Sequence, residues 1–103
     1  MQRMPLALLA FKPMSRNTLR GFADVRLGKA LLIKEIPVHV SNGKAWASLP
    51  SKPVIKDGRV ATDDKGKVRY VPILEWADKE SRDAFSEAVV DAVKADSPDA
   101  VEV

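Results

Sequence analysis

The chain contains no cysteine, which removes disulfides, thiolate metal ligands and thiol nucleophiles together and fits a reducing cytoplasm. It has one histidine, so a serine or threonine nucleophile has one candidate base, His39, and that residue alternates with apolar neighbours in "IPVHV", the pattern of a structural histidine in a strand. Adjacent carboxylates occur only as Asp63 and Asp64, in a turn-rich stretch where acids commonly satisfy local amides. No glycine-rich phosphate cradle opens a helix, because Gly43, Gly58 and Gly66 stand singly in hairpin-like contexts. The expectation is a protein with no catalytic residues, metal or cofactor, and no small-molecule substrate.

Long apolar runs are also absent. No stretch approaches the roughly 20 residues of a membrane span, and "MPLALLAF" at residues 4 to 11 is short and lacks a small-residue cleavage site, so it reads as a strand. At 103 residues the chain has the length of one domain, able to bury about two thirds of the surface that its unfolded form exposes. Aromatics are few: two tryptophans, one tyrosine and three phenylalanines. Trp46 falls in a strand, Trp76 just ahead of a helix where it can pack as a staple, and Phe85 on the helix's apolar stripe.

What is present is a charge gradient. Residues 1–77 hold 14 Lys or Arg against 6 Asp or Glu, and residues 78–103 hold 3 against 8; the front is basic and the end acidic. Arg16, Arg20, Arg26, Lys29, Lys52, Lys56, Arg59, Lys67 and Arg69 are cations that could neutralise phosphates and release counterions, and of these Arg20, Arg26, Lys52 and Lys56 are the candidate contacts.

Period-two alternation bounded by turns predicts an antiparallel meander. Strand one covers about Pro5 to Lys12. Strand two covers about Thr18 to Leu27, with Leu19, Ala23, Val25 and Leu27 on one face and Arg20, Phe22, Asp24 and Arg26 on the other. Strand three covers about Leu31 to Val40, where Pro37 implies an edge position or a bulge. Asn42-Gly43 marks a type I′ hairpin into strand four, Lys44 to Leu49, which Pro50 ends. The segment Pro50 to Lys67 reads as a flexible, turn-rich surface loop, and Val68 to Leu74 as a last strand.

Asp78 is a good N-cap for a helix reaching about Lys94, with Phe85, Ala88, Val89, Ala92 and Val93 on one stripe. One stripe covers one face of the sheet, so a second copy of the chain is expected on the other. The whole reads as one α+β domain over residues 1–95, a four- to five-stranded meander with a C-terminal helix, followed by a frayed acidic tail over 96–103.

The order of these motifs resembles the SpoVG family. "FADVRLGKALLIKEIPVHVSNGKAWASLPSKPVIKDG" is similar to its core in Ile33, Ile36, Val38, Gly43, Pro50, Ser51, Lys52, Asp57 and Gly58. "VPILEWADKESRDAFSEAVVDAV" is similar to its last strand and helix in Pro72, Ser81, Arg82, Ala88 and Val89. The likeness runs from about residue 5 to 94. It implies a small α+β domain, dimers formed through the strands, and sequence-selective DNA binding, in some members RNA binding, by bacterial regulators of sporulation and septation. It adds Arg82, and again Lys52, to the nucleic-acid candidates. The chain departs from the family in the acids Asp91, Asp96, Asp99 and Glu102, which repel a phosphate backbone, and in a longer, more charged Arg59 to Lys67. The alternative to a nucleic-acid-binding regulator is a protein-interaction or structural module whose basic residues only solubilise.

Overall fold

The computed structural model describes residues 5–101. Four antiparallel strands follow one another in a meander: β1 (Leu6–Arg16), β2 (Leu19–Leu27), β3 (Leu31–Ser41) and β4 (Lys44–Ala47), in the spatial order β1-β2-β3-β4. A helix, α1 (Lys79–Asp96), packs across one face. Between β4 and α1 lie β5 (Ser51–Pro53), β6 (Ile55–Lys56), β7 (Arg59–Val60) and β8 (Tyr70–Pro72). They leave the main sheet as an arm, and the Cα radius of gyration, 14.5 Å, exceeds the roughly 13 Å of a compact domain of this length.

Local chemistry accounts for the turns. Asn42 and Gly43 both take positive φ, 51° and 76°, as a two-residue hairpin matching the right-handed strand twist requires. Asp78 caps α1, its Oδ1 accepting from the Ser81 amide at 2.7 Å, and this bond holds the Asp78 carboxyl below its ordinary range.

The register shifts at four places in the sheet, one of them between Pro13 and Arg16, and each of the other three redirects apolar side chains. Between Ala23↔Ile36 and Val25↔Ile33 the register shifts, leaving Lys34 and Glu35 opposite Asp24 alone. Glu35 takes φ 60° and donates its N–H to Asp24 Oδ1 at 3.0 Å. This bulge lets Ile33 and Ile36, three apart, both face the helix, with Val38 and Val40 continuing inward. The irregularity expected at Pro37 therefore sits two residues earlier. Pro37 itself is in an inner strand, opposite Phe22 and one residue past the last β3–β4 pair, Val38↔Ala47.

A second shift separates Leu19↔His39 from Gly21↔Val38. It turns Leu19 to the face of His39, against the assignment with Ala23 that alternation made. In β1 a shift between Leu8 and Ala10 lets Leu8 and Phe11 both pack on the core. Gly21 is where β1 presses closest: a Cβ there would stand 2.5 Å from Phe11 Cζ and 2.6 Å from the Lys12 carbonyl oxygen. Backbone cannot yield as a side-chain tip can, so Gly21→Ala is expected to destabilise the domain by about 1–3 kcal/mol, read from chemical denaturation. A wild-type midpoint in that variant would contradict the close approach.

The core joins Ala23, Val25, Ile33, Ile36, Val38, Val40 and Ala47 of the sheet to Phe85, Val89, Val90 and Val93 of the helix. Val90 joins the expected stripe, whereas Ala88 and Ala92 are half-buried. Trp76 meets Phe85 with ring centroids 5.1 Å apart, anchoring the chain's entry into α1.

Four boundaries differ from the sequence expectation. β1 runs on to Arg16, and β4 stops at Ala47, ahead of Pro50. The last strand contracts to Tyr70–Pro72. The segment expected to fray continues α1 to Asp96 and then forms a 3-10 turn, Pro98–Val101, that seats Val101 in the core at 1% exposure. An apolar side chain that reaches a gap in the core outweighs the local repulsion of its acidic neighbours. Residues 102 and 103 of the expected tail lie outside the described residues.

Candidate nucleic-acid interface

The arm is built on a ring of three backbone hydrogen bonds. Val54 N–H donates to Arg69 O at 2.8 Å, Ala61 N–H to Val54 O at 2.8 Å, and Arg69 N–H to Ala61 O at 2.9 Å. Three hairpins radiate from it. The stem pairs β5 with β8. One finger pairs β6 with β7 around Asp57-Gly58, whose φ values of 54° and 75° make a tight reversal. The other joins Thr62 to Val68 across a turn in which Asp63 Oδ1 accepts from the amides of Lys65 at 2.8 Å and Lys67 at 3.0 Å. These bonds, Lys67's first, keep the Asp63 carboxyl below its usual range. The stretch expected to be a flexible loop is thus a hydrogen-bonded arm, because its backbone groups find partners across the chain that local propensity does not reveal.

Pairing sets the faces of each hairpin, since directly opposed residues of an antiparallel pair point the same way. Lys56 opposes Arg59, and Ile55 opposes Val60 on the reverse side. In the stem Lys52 opposes Val71, while Pro53 opposes Tyr70 on the other side. Between the two fingers lies an open hollow of about 590 Å³ lined by Lys56, Asp57, Arg59, Ala61, Thr62 and Arg69. Three cations meet there with one acid: Lys56 from β6, Arg59 from β7 and Arg69 from just ahead of β8.

Among the described residues the ion pairs are Lys12–Glu35, Lys79–Asp83 and Arg82–Asp83, none of which involves an arm cation. The arm from residue 50 to 74 carries six Lys or Arg and three Asp, all exposed. A flexible cation held on a hydrogen-bonded hairpin and free of a carboxylate partner is disposed to meet a phosphate.

The candidate residues do not form one patch. Lys56 lines the hollow, where Arg59 and Arg69, cations of the basic front that were not among the chosen contacts, accompany it; the signal that could have selected them is their place around the turn signals of residues 57–67. Lys52 lies on the stem. Arg20 is drawn onto the turn before it, Nη1 donating to Asn17 O at 2.7 Å and Leu19 O at 3.1 Å. Arg26 is exposed at the far end of β2, opposite Leu32 and Ala7.

Arg82 is at the start of α1, its Nε 3.4 Å from Asp83 Oδ1, beside a groove of about 740 Å³ that Trp46, Leu49, Leu74 and Trp76 line with Glu75 and Asp83. Lys79 at 2.6 Å and then Arg82 hold the Asp83 carboxyl below its ordinary range. Exposed Asp83, Glu87 and Asp91 follow one another at helical spacing, so this side of α1 repels a phosphate chain.

The sheet face away from α1 carries Phe22, Arg26, Leu32, Pro37, His39 and Trp46. The His39 ring stacks on Trp46 with centroids 5.3 Å apart and planes 13° from parallel, and its Nδ1 shares a 2.9 Å hydrogen bond with Thr18 Oγ1. Burial disfavours the imidazolium and lowers the His39 pKa below 6.5. Among the described residues no His, Asp and Glu group has the spacing to hold a metal ion, and no helix is long and apolar enough to cross a membrane. No protein-family model, curated protein or solved structure matches this chain.

Proposed function

We propose that the chain is a non-enzymatic nucleic-acid-binding regulatory protein, acting as a dimer in the cytoplasm, with the arm as its phosphate-binding element. The observation that carries this reading is the hollow between the fingers, where Lys56, Arg59 and Arg69 converge with no ion-pair partner among the described residues. The order of sequence motifs, which resembles that of the SpoVG family, supports the same reading and makes DNA, and secondarily RNA, the expected ligand. Its lone histidine supports a non-catalytic role: His39 shares a hydrogen bond with Thr18 Oγ1 and stacks on Trp46, and among the described residues no carboxylate holds its other ring nitrogen, as a triad requires.

The test is titration of labelled DNA and RNA pools at low salt. Binding is expected at micromolar protein or below, with log affinity falling against log salt by about 0.9 for every duplex phosphate neutralised. No binding to either pool would overturn the reading. The second reading, a protein-interaction module, draws on the apolar groove beside Trp46 and Trp76 with its acidic rim; it would be favoured by one dominant partner recovered from nuclease-treated extract.

A further inference from the structure

β4 ends the sheet, and its outer edge pairs with no other strand among the described residues. The Asn42-Gly43 turn fixes which groups that edge presents. Ser41 and Lys44 flank the turn as a hydrogen-bonded pair, and such pairs alternate with non-bonded ones, so the N–H and C=O of Ala45 point away from β3. Two bonds agree with this frame. Val40 N–H, opposite Ala45, donates to Thr18 O at 2.8 Å, and Ala47 N–H, two residues on, leaves the sheet to donate to Ser86 Oγ at 2.9 Å.

A trough follows this edge. The groove of about 740 Å³ beside Trp46, Leu49, Leu74 and Trp76 shares Asp83 and Ser86 with a second hollow of about 380 Å³, lined further by Gly43, Ala45, Glu87, Val90, Asp91 and Lys94. One wall is the chain from Gly43 to Leu49, and the other is α1 from Arg82 to Lys94. The walls match in length, about 20 Å for six steps of strand and about 18 Å for twelve of helix. The groove end is apolar. Beyond it the carboxylates of Glu87 and Asp91 are exposed and form no ion pair among the described residues.

We infer that the trough takes an extended basic segment of another protein, paired through its backbone to Ala45, with one apolar side chain beside Trp46 and Trp76 and cationic side chains on Glu87 and Asp91. Spacing sets the pattern of that segment. Asp83, Glu87 and Asp91 follow one another about 6 Å apart along α1, and side chains on one face of a strand follow about 6.7 Å apart. An apolar residue level with Asp83 therefore brings the residues two and four positions along beside Glu87 and Asp91. Edge pairing holds any extended chain, and the alternate side chains choose among chains. The acidic wall repels a phosphate chain, and it also opposes the same edge of a second copy, which would bring two such walls together. The inference gives a ligand to the groove of the second functional reading and needs no nucleic acid on the arm.

The probe is a labelled serine peptide carrying one leucine followed at the second and fourth positions by lysine. Its anisotropy with the full chain should saturate with a dissociation constant of about 100 µM or below. Trp46 and Trp76, the two tryptophans of the chain, should report the leucine through their fluorescence. Glutamate in place of both lysines should weaken binding at least tenfold. The double variant Glu87→Lys with Asp91→Lys should reverse that preference, with an unchanged circular dichroism spectrum. Leu74→Ser, at a side chain 49% exposed, is the second variant and should weaken the lysine peptide severalfold. Methylating the peptide's amide nitrogens in one alternate frame should cost about tenfold and in the other frame little, because one frame faces Ala45. No binding of the lysine peptide, equal binding of both peptides, or a preference unmoved by the double variant would overturn the inference. Equal losses in both methylated frames would overturn the strand pairing. Peptide binding without nucleic-acid binding would fail the arm's reading and leave the trough standing, and the reverse would fail the trough alone.

Discussion

Replacing Lys56, Arg59 and Arg69 together by glutamate should lower nucleic-acid affinity by about a hundredfold or more at low salt. The three side chains line one hollow, are exposed, and form no ion pair among the described residues. Losing three charge-assisted contacts at roughly 1 kcal/mol each removes about two decades of binding. Like-charge repulsion adds to the loss. Three fewer neutralised phosphates should also flatten the salt dependence by about 2.7 in slope on duplex DNA.

The thermal midpoint should hardly move, because the arm contributes no residue to the core. Lys52→Glu, on the stem beside Val71, should cost less than the triple change. Substituting Arg20 should cost little, since its guanidinium is already engaged with two carbonyls of its own turn. Wild-type affinity in a folded triple variant would remove the hollow from the interface.

Phe85→Ala should have the largest effect on stability, a loss of about 3–5 kcal/mol. Phe85 is 1% exposed, the largest fully buried side chain, and the ring against which Trp76 rests. A domain of this size has only about 5–15 kcal/mol in all, so the thermal midpoint should fall by at least about 12 °C. Trp76 fluorescence should shift to the red in the native baseline as its packing partner disappears. A loss under about 1 kcal/mol would mean that the helix and sheet do not meet through this ring.

The two effects separate along the chain. Helix and meander hold the fold, and the arm carries the charge, so a variant that abolishes binding with the core intact and one that unfolds the core with every cation present test different halves of the molecule. The buried Val101 connects them to the chain's end: an acidic segment that charge alone would leave in solvent is drawn in by one valine.

What the sequence determined by itself was whatever depends on near neighbours. The Asn42-Gly43 reversal, the Asp78 cap and the helical spacing of Phe85, Val89 and Val93 are each set within a few residues, as is the period of two that makes β1 to β4 a meander. The division into a basic front and an acidic end is likewise a property of order alone. Only the tertiary structure decided the rest, because it depends on partners distant in the chain. The Lys34–Glu35 bulge is defined by the single residue across from it, and it decides which of Ile33 and its neighbours face the helix.

Leu19 changes face for the same reason. Period two sets inside against outside only while the register holds, and a shift of one residue reverses it. The ring of bonds among Val54, Ala61 and Arg69 joins three segments that no local signal connects. It turns a stretch with the composition of a loop into a two-sided arm, and it makes Lys56, Arg59 and Arg69 neighbours.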